Sequence, residues 1–521
     1  MLFNSYSFVL LYLPVVFFGF FLIGRSSHKL AALWLGLASL AFYGWWNPRL
    51  VVLLGGSILF NYALGGLIAR CGPTRPGKVV LAFAVGANLA ALGLFKYANF
   101  FIATADTLTG ASWPAVNIVL PLGISFFTFT QIAFLVDVHR GEAREYNFVH
   151  YLLFVSYFPH LIAGPVLHHQ QIMPQFAAPE TYRLNASNVA VGLTEFTIGL
   201  IKKVLLADAF GGLATRVFDG AAHGLHPRLF AGWAGALTFT FQIYFDFSGY
   251  SDMAIGLSRL FGVSLPINFR SPYRAQNIIE FWRRWHMTLS QFLRDYLYVP
   301  LGGNRRGKIR RYANLMLTML IGGLWHGANW TFVAWGGLHG LYLVVNHAWR
   351  RLRERGGRVA DGPSRIGRMA SVSLTLFGVV VAWVFFRSAN FGAAWIMLKS
   401  MVGGYGISLP AQAAGIWGPA HGWLAYDGFL ETPIRFGGSP EVASFVGLTL
   451  CSLVVVWFLP TTQDWLLAPR PARSRGGLWT RVGCLVEGWR PAPLVGVAVG
   501  VGLALILMSQ AEPATFIYFQ F

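Results

Sequence analysis

The chain has 521 residues, 55% of them hydrophobic and only 12% charged, with a mean hydropathy of +0.54. That composition excludes a disordered chain, and its repeated apolar runs of about 20 residues mark a helical membrane protein with many crossings. Forty Lys and Arg stand against twenty Asp and Glu, a net charge of +20. The excess lies in loops and helix ends, where positive-inside bias and anionic headgroups account for it and nucleic acid is not needed as a partner.

The N-terminal run has no basic residue ahead of it and no small-residue cleavage site, so it reads as a first membrane helix, not a cleaved leader. Arg25, His28 and Lys29 then place its C-terminal end in the cytoplasm. Spans at about 30–46, 50–69, a fourth ending near Phe100, and 118–138 alternate consistently with basic clusters at Arg70, Arg75 and Lys78 and at Arg140 and Arg144. Over 150–171, Pro159, Gly164 and Pro165 interrupt the apolar text around His160. This predicts a broken or re-entrant segment, a cavity wall or a kinked helix.

A long helix is expected over 188–218, with Lys202 and Lys203 snorkelling to the cytoplasmic interface. Another covers 229–260 and carries Asp246 and Asp252; carboxylates at that depth need partners, and arginines are the expected ones. The arginine-rich stretch 270–311 reads as a cytoplasmic face that would attract a phosphorylated ligand. Inside it, 277–298 has the pattern of one amphipathic helix, with Trp285 on its apolar side, Arg283 and Arg284 on its polar side, and His286 on the shoulder. An interfacial helix with a solvated His286 is the alternative.

Residues 312–345 form an apolar stretch that contains Trp325, His326, Asn329 and His339 among six glycines. An ionisable residue inside a membrane segment points to a functional interior, which makes His326 the leading candidate. The competing reading is a histidine bonded for packing alone, with Gly323/Gly327 and Gly336/Gly340 as close-contact pairs. Further spans fall at about 372–386, 445–459 and 494–508; 395–402 is too short to count. Roughly 10–13 crossings or partial crossings result, in one membrane domain over 1–521. Cys71, Cys451 and Cys484 are too scattered for a disulfide framework, and the histidines lack metal-ligand spacing, so no metal is expected.

An imidazole can take the proton of a hydroxyl attacking an acyl thioester, and a dry site excludes competing water. These features alone leave acyl transfer and a non-catalytic, proton-coupled transporter or export channel both open. The strings Phe281-Trp282-Arg283-Arg284-Trp285-His286, Leu301-Gly302-Gly303-Asn304-Arg305 and Gly322-Gly323-Leu324-Trp325-His326-Gly327-Ala328-Asn329 resemble the signature of the membrane-bound O-acyltransferases. Within that family they are most similar to the bacterial alginate O-acetyltransferase branch, with its cellulose-acetylating relatives. Phe158-Pro159-His160 to Pro165 and Tyr244-Phe245-Asp246 to Ala254 extend the likeness, which reaches about Arg387 and leaves 388–521 less typical.

The resemblance implies an all-α protein with a ring of helices around a central tunnel, in the bacterial inner membrane. His326 matches the family's essential histidine and His286 the second histidine of this branch. Asn329, one helical turn from His326, would fix its tautomer; Trp325, Trp285, Asp246, Asp252, Arg283 and Arg284 complete the supporting set. No bound cofactor is expected: acetyl-CoA or another acyl thioester is the donor substrate. The implied partners are membrane lipid, a periplasmic SGNH-type acetyltransferase and an exopolysaccharide biosynthesis complex.

Overall fold

In the computed structural model of the chain, the structure describes residues 1–143, 147–355, 364–410, 425–427, 442–467, 499–500, 502–503 and 516–517. Short polar caps and glycines cut the apolar text into helices. A π-helical turn, Ser7–Tyr12, leads into α1 (Leu13–Gly24); α2 (His28–Gly44) is capped by Ser27, whose hydroxyl accepts the Leu30 amide. Asn47 caps α3 (Pro48–Cys71), where Pro48 fits because the first turn of a helix has no use for its missing N–H. After the left-handed Gly72 comes α4 (Arg75–Leu92), which runs through a π-helical turn into α5 (Ala98–Thr109). Left-handed glycines, Gly123 and Gly141, bound α6 (Ile124–Arg140).

Next come α7 (Phe148–Ser156), α8 (His169–Ala177), α9 (Ala186–Ile201), α10 (Asp208–Ala222) and α11 (Leu229–Leu260). The last has the bounds expected from the sequence. Then follow α12 (Ile278–Trp282), α13 (Met287–Leu293), α14 (Lys308–His326), α15 (Trp330–Arg355), α16 (Arg365–Arg387), α17 (Phe391–Met401), α18 (Val442–Phe458) and α19 (Thr462–Leu467). Two three-residue strands, Ser408–Pro410 and Ala425–Asp427, pair in parallel. Among the described residues, four helical runs are long and apolar enough to cross a membrane by length and composition: Ser7–Gly24, Pro48–Cys71, Arg75–Thr109 and Arg365–Arg387. The span expected at 494–508 and the basic stretch at 470–490 lie almost wholly outside the described residues. The short segment at 395–402 belongs to α17.

The chain divides into two compact units. One comprises Met1–Leu200, Tyr250–Ile267 and Thr462–Phe519; the other comprises Ile201–Gly249, Asn268–Thr461 and Gln520–Phe521. In the first, apolar helices are tied by buried polar bonds, which hydrocarbon makes worth forming. Asn61 and Asn88 join α3 to α4 at 2.6 and 3.1 Å, and Gln131 of α6 donates to Ser57 at 2.9 Å. The expected break at 150–171 is present: between α7 and α8 the chain is non-helical. Tyr157, Phe158 and Leu161 there are fully buried, and Ser39 accepts the Phe158 amide at 3.1 Å. Irregular backbone of this kind is tolerated at membrane depth only where protein covers it.

In the second unit the stretch 312–345 is not one membrane segment. It is a hairpin of α14 and α15 that turns at Gly327, whose extended backbone (φ −161°, ψ 151°) stops the first helix directly after His326. The two helices meet backbone to backbone. A methyl added to Gly323 would overlap the Phe332 carbonyl, and one added to Gly336 would overlap that of Met319. Close packing does explain these two glycines, without removing His326 from the site.

Candidate active site

His286 does not ride a continuous amphipathic helix. The helix expected over 277–298 breaks into α12, α13 and a π-helical turn, and His286 stands at the break with left-handed backbone (φ 43°, ψ 55°). A non-glycine residue in that region costs about 1–3 kcal/mol and persists only where its surroundings hold it. Here they do: the ring is wholly buried, it meets the Phe247 ring edge to face at 4.7 Å, and its Nδ1 is 3.1 Å from Asn268 Oδ1. The shoulder position inferred from a helical wheel therefore fails, because a wheel presumes the helix continues.

Asn268 also sets the proton. Its Oδ1 accepts from the Thr288 hydroxyl at 3.0 Å and from the Thr288 amide at 3.4 Å, which identifies that atom as the oxygen. An oxygen acceptor requires His286 Nδ1 to carry hydrogen, so in the neutral ring Nε2 holds the lone pair able to receive a proton. Met287 donates its amide to the Asn268 carbonyl at 3.0 Å, tying the loop residue to the break at two points. No sequence signal marked Asn268; it follows Pro266 in a stretch without periodicity.

His326, 5% exposed, closes α14 with its ring centroid 6.5 Å from that of His286. An oxygen accepting or donating hydrogen bonds of about 2.7–3.0 Å to a nitrogen on each ring can bridge that gap in a bent arrangement. Aromatic rings wall the pair. Trp325, Trp335 and Phe386 stand 5.0, 5.1 and 5.3 Å from the His326 ring, all three edge to face. Trp285 is buried among Phe281, Phe269 and Trp383 at 5.7, 5.0 and 5.0 Å. Beyond Trp335 lies His339, fully buried 4.8 Å from that indole, a residue the sequence displayed but to which it assigned no role. Neither ring nitrogen of His339 nor the Trp335 indole N–H has a hydrogen-bond partner among the described residues.

The remaining expected residues have other partners. Asn329 is not one helical turn beyond His326, since α14 has already ended; its amide donates to the Ala389 carbonyl at 2.8 Å and its oxygen accepts the Thr331 amide at 3.0 Å. That caps α15 and pins the hairpin turn, so it does not set the His326 tautomer. Lys203 does not snorkel: it is 2% exposed and bridges Asp208 and Asp246 at 2.7 and 2.6 Å. Asp246 thus pairs with a lysine where an arginine was expected. Asp252 belongs to the other unit, where it accepts from Thr462 and Gln463, each at 2.7 Å, while Gln463 also donates to buried Glu195 at 2.9 Å. Arg283 is exposed at the end of α12, and Arg284 pairs with Glu280 at 2.6 Å.

The described geometry is a buried, aromatic-walled pair of imidazoles, one with a defined tautomer, suited to moving a proton between a hydroxyl and a leaving group. Comparison with known proteins agrees with that chemistry. A family model described as MBOAT, membrane-bound O-acyltransferase family, matches residues 121–362, the range that contains both histidines. The chain is 42% identical over 436 residues to a peptidoglycan O-acetyltransferase of Helicobacter pylori, covering 78% of this chain and 81% of that protein. It is 41% identical over 408 residues to a probable alginate O-acetylase of Pseudomonas aeruginosa, covering 77% and 75%. A teichoic acid D-alanyltransferase of Bacillus subtilis matches at 24% over 319 residues, 57% and 80% of the two chains. The chain belongs to the membrane-bound O-acyltransferase family and is an acyltransferase.

Proposed function

We propose that this protein acetylates an exopolysaccharide of the alginate or cellulose type, drawing the acetyl group from a cytoplasmic thioester such as acetyl-CoA at the bacterial inner membrane. The observation that carries the reading is the buried His286–His326 pair, 6.5 Å apart, in a chain about 41% identical to a probable alginate O-acetylase. His326 acts as the base. It takes the proton of an acceptor hydroxyl as the oxygen bonds to the thioester carbonyl carbon; the C–S bond then breaks and the thiolate leaves with that proton. His286, oriented by Asn268, positions the acceptor or donor. The Trp335 indole N–H faces a polar atom of the reacting group, where a donor to the developing oxyanion would act.

The immediate acceptor is proposed to be a periplasmic SGNH-type acetyltransferase within an exopolysaccharide biosynthesis complex, and the basic face over 270–311 to draw in the phosphorylated donor. A second reading rests on the Helicobacter pylori relative: peptidoglycan as the final polymer. One experiment addresses both. A strain carrying His326→Ala, with the protein still present in its membranes, should lose O-acetyl groups from whichever polymer the wild-type strain acetylates. Unchanged acetyl content of both exopolysaccharide and peptidoglycan would end the proposal.

A further inference from the structure

The first unit holds a second histidine cluster that acyl transfer does not use. Asp137, wholly buried, lies in the last turn of α6; His168 and His169 stand where the irregular segment enters α8. His168 Nε2 is 2.8 Å and His169 Nδ1 3.3 Å from the same oxygen, Asp137 Oδ2. One ligand atom from each of the three residues lies within 4.8 Å of the other two.

Ordinary ion pairing explains the His168 contact but not the His169 one. His169 is 5% exposed, and neither of its ring nitrogens makes a hydrogen bond among the described residues, although Nδ1 is close to the carboxylate. Ligands held 2.0–2.2 Å from a tetrahedral zinc ion stand roughly 3.3–3.6 Å apart, and this approach falls at the short end of that range. A carboxylate in the last turn of a helix also faces the negative end of the helix dipole, which a nearby cation offsets. Arg140, partly exposed, approaches the other carboxylate oxygen, Oδ1, at 3.7 Å.

We propose that Asp137, His168 and His169 bind a divalent zinc-like ion through two imidazole nitrogens and one carboxylate oxygen. Two nitrogen donors select zinc, cobalt or nickel over magnesium and calcium, which favour all-oxygen shells. His168, 27% exposed on its side chain, marks the side from which the ion enters and where a water completes the shell. The ion staples the end of the irregular 157–168 segment to α6, a structural role independent of the proposed acyl transfer.

The test uses the full chain, purified in detergent without a polyhistidine tag, stripped with chelator and titrated with zinc chloride alone. Expected are one zinc ion retained per chain after gel filtration and a raised unfolding temperature. His168→Gln and His169→Gln should each weaken zinc binding at least tenfold, while His223→Gln, at an exposed site in the other unit, binds as wild type. If His169→Gln does not fold, His168→Gln carries the comparison, its ring being partly exposed already. Absence of retained zinc in the wild-type protein, or equal affinity in wild type and His168→Gln, overturns the proposal.

Discussion

The two histidine clusters place the same side chain in opposite surroundings, and the difference lies in their neighbours. In the second unit His286 is held by a neutral amide, Asn268, and its ring stands 6.5 Å from that of His326 among tryptophans and phenylalanines. In the first unit His168 and His169, with rings 4.6 Å apart, crowd one carboxylate oxygen. A neutral partner leaves an imidazole free to gain and lose a proton, whereas a shared anion gathers lone pairs at a point and suits a cation.

Substitutions test the histidine pair of the second unit and its supports. The largest effect belongs to His326→Ala, expected to lower acyl-transfer turnover by about 10²–10⁴-fold, the range for a general base, with the protein still folded. Steady-state rates together with gel-filtration profiles check it. Next is Trp335→Phe, which keeps the ring that packs against His326 but removes the N–H; a loss of roughly 10²-fold in kcat marks it as a donor to the oxyanion, and an unchanged kcat assigns it to packing. Asn268→Ala releases the His286 tautomer and the left-handed turn, for a loss of about 10–100-fold by analogy with other partners that orient a histidine; nitrogen-15 imidazole NMR should show mixed tautomers. The smallest change is Asn329→Ala. It removes a cap of α15 and should cost about 1 kcal/mol of stability in thermal unfolding, with little effect on kcat per folded molecule.

Much of this was legible in the sequence because it depends on near neighbours. The bounds of α11, the break between α7 and α8, and His326 as the leading candidate follow from apolar runs, prolines and the odd placement of histidine; His286 comes from the family resemblance. What escaped depends on distant partners. Lys203 looks like a surface residue until Asp208 and Asp246 are found beside it. The pattern over 277–298 fits one helix, and bonds from Asn268, 18 residues before His286, help hold the turn that breaks it. Residues 312–345 are apolar enough for one segment, yet Gly327 and the Asn329 cap fold them into a hairpin that leaves His326 at a helix end. The Asp137 cluster joins residues over 30 positions apart and has no spacing a motif would catch.

The most direct test of the central claim is transfer of a radiolabelled acetyl group from a thioester by the purified protein in detergent, with no transmembrane gradient. Label should move to water or to an added hydroxyl acceptor with the wild-type protein and not at all with His326→Ala. Equal transfer by the two proteins would contradict it.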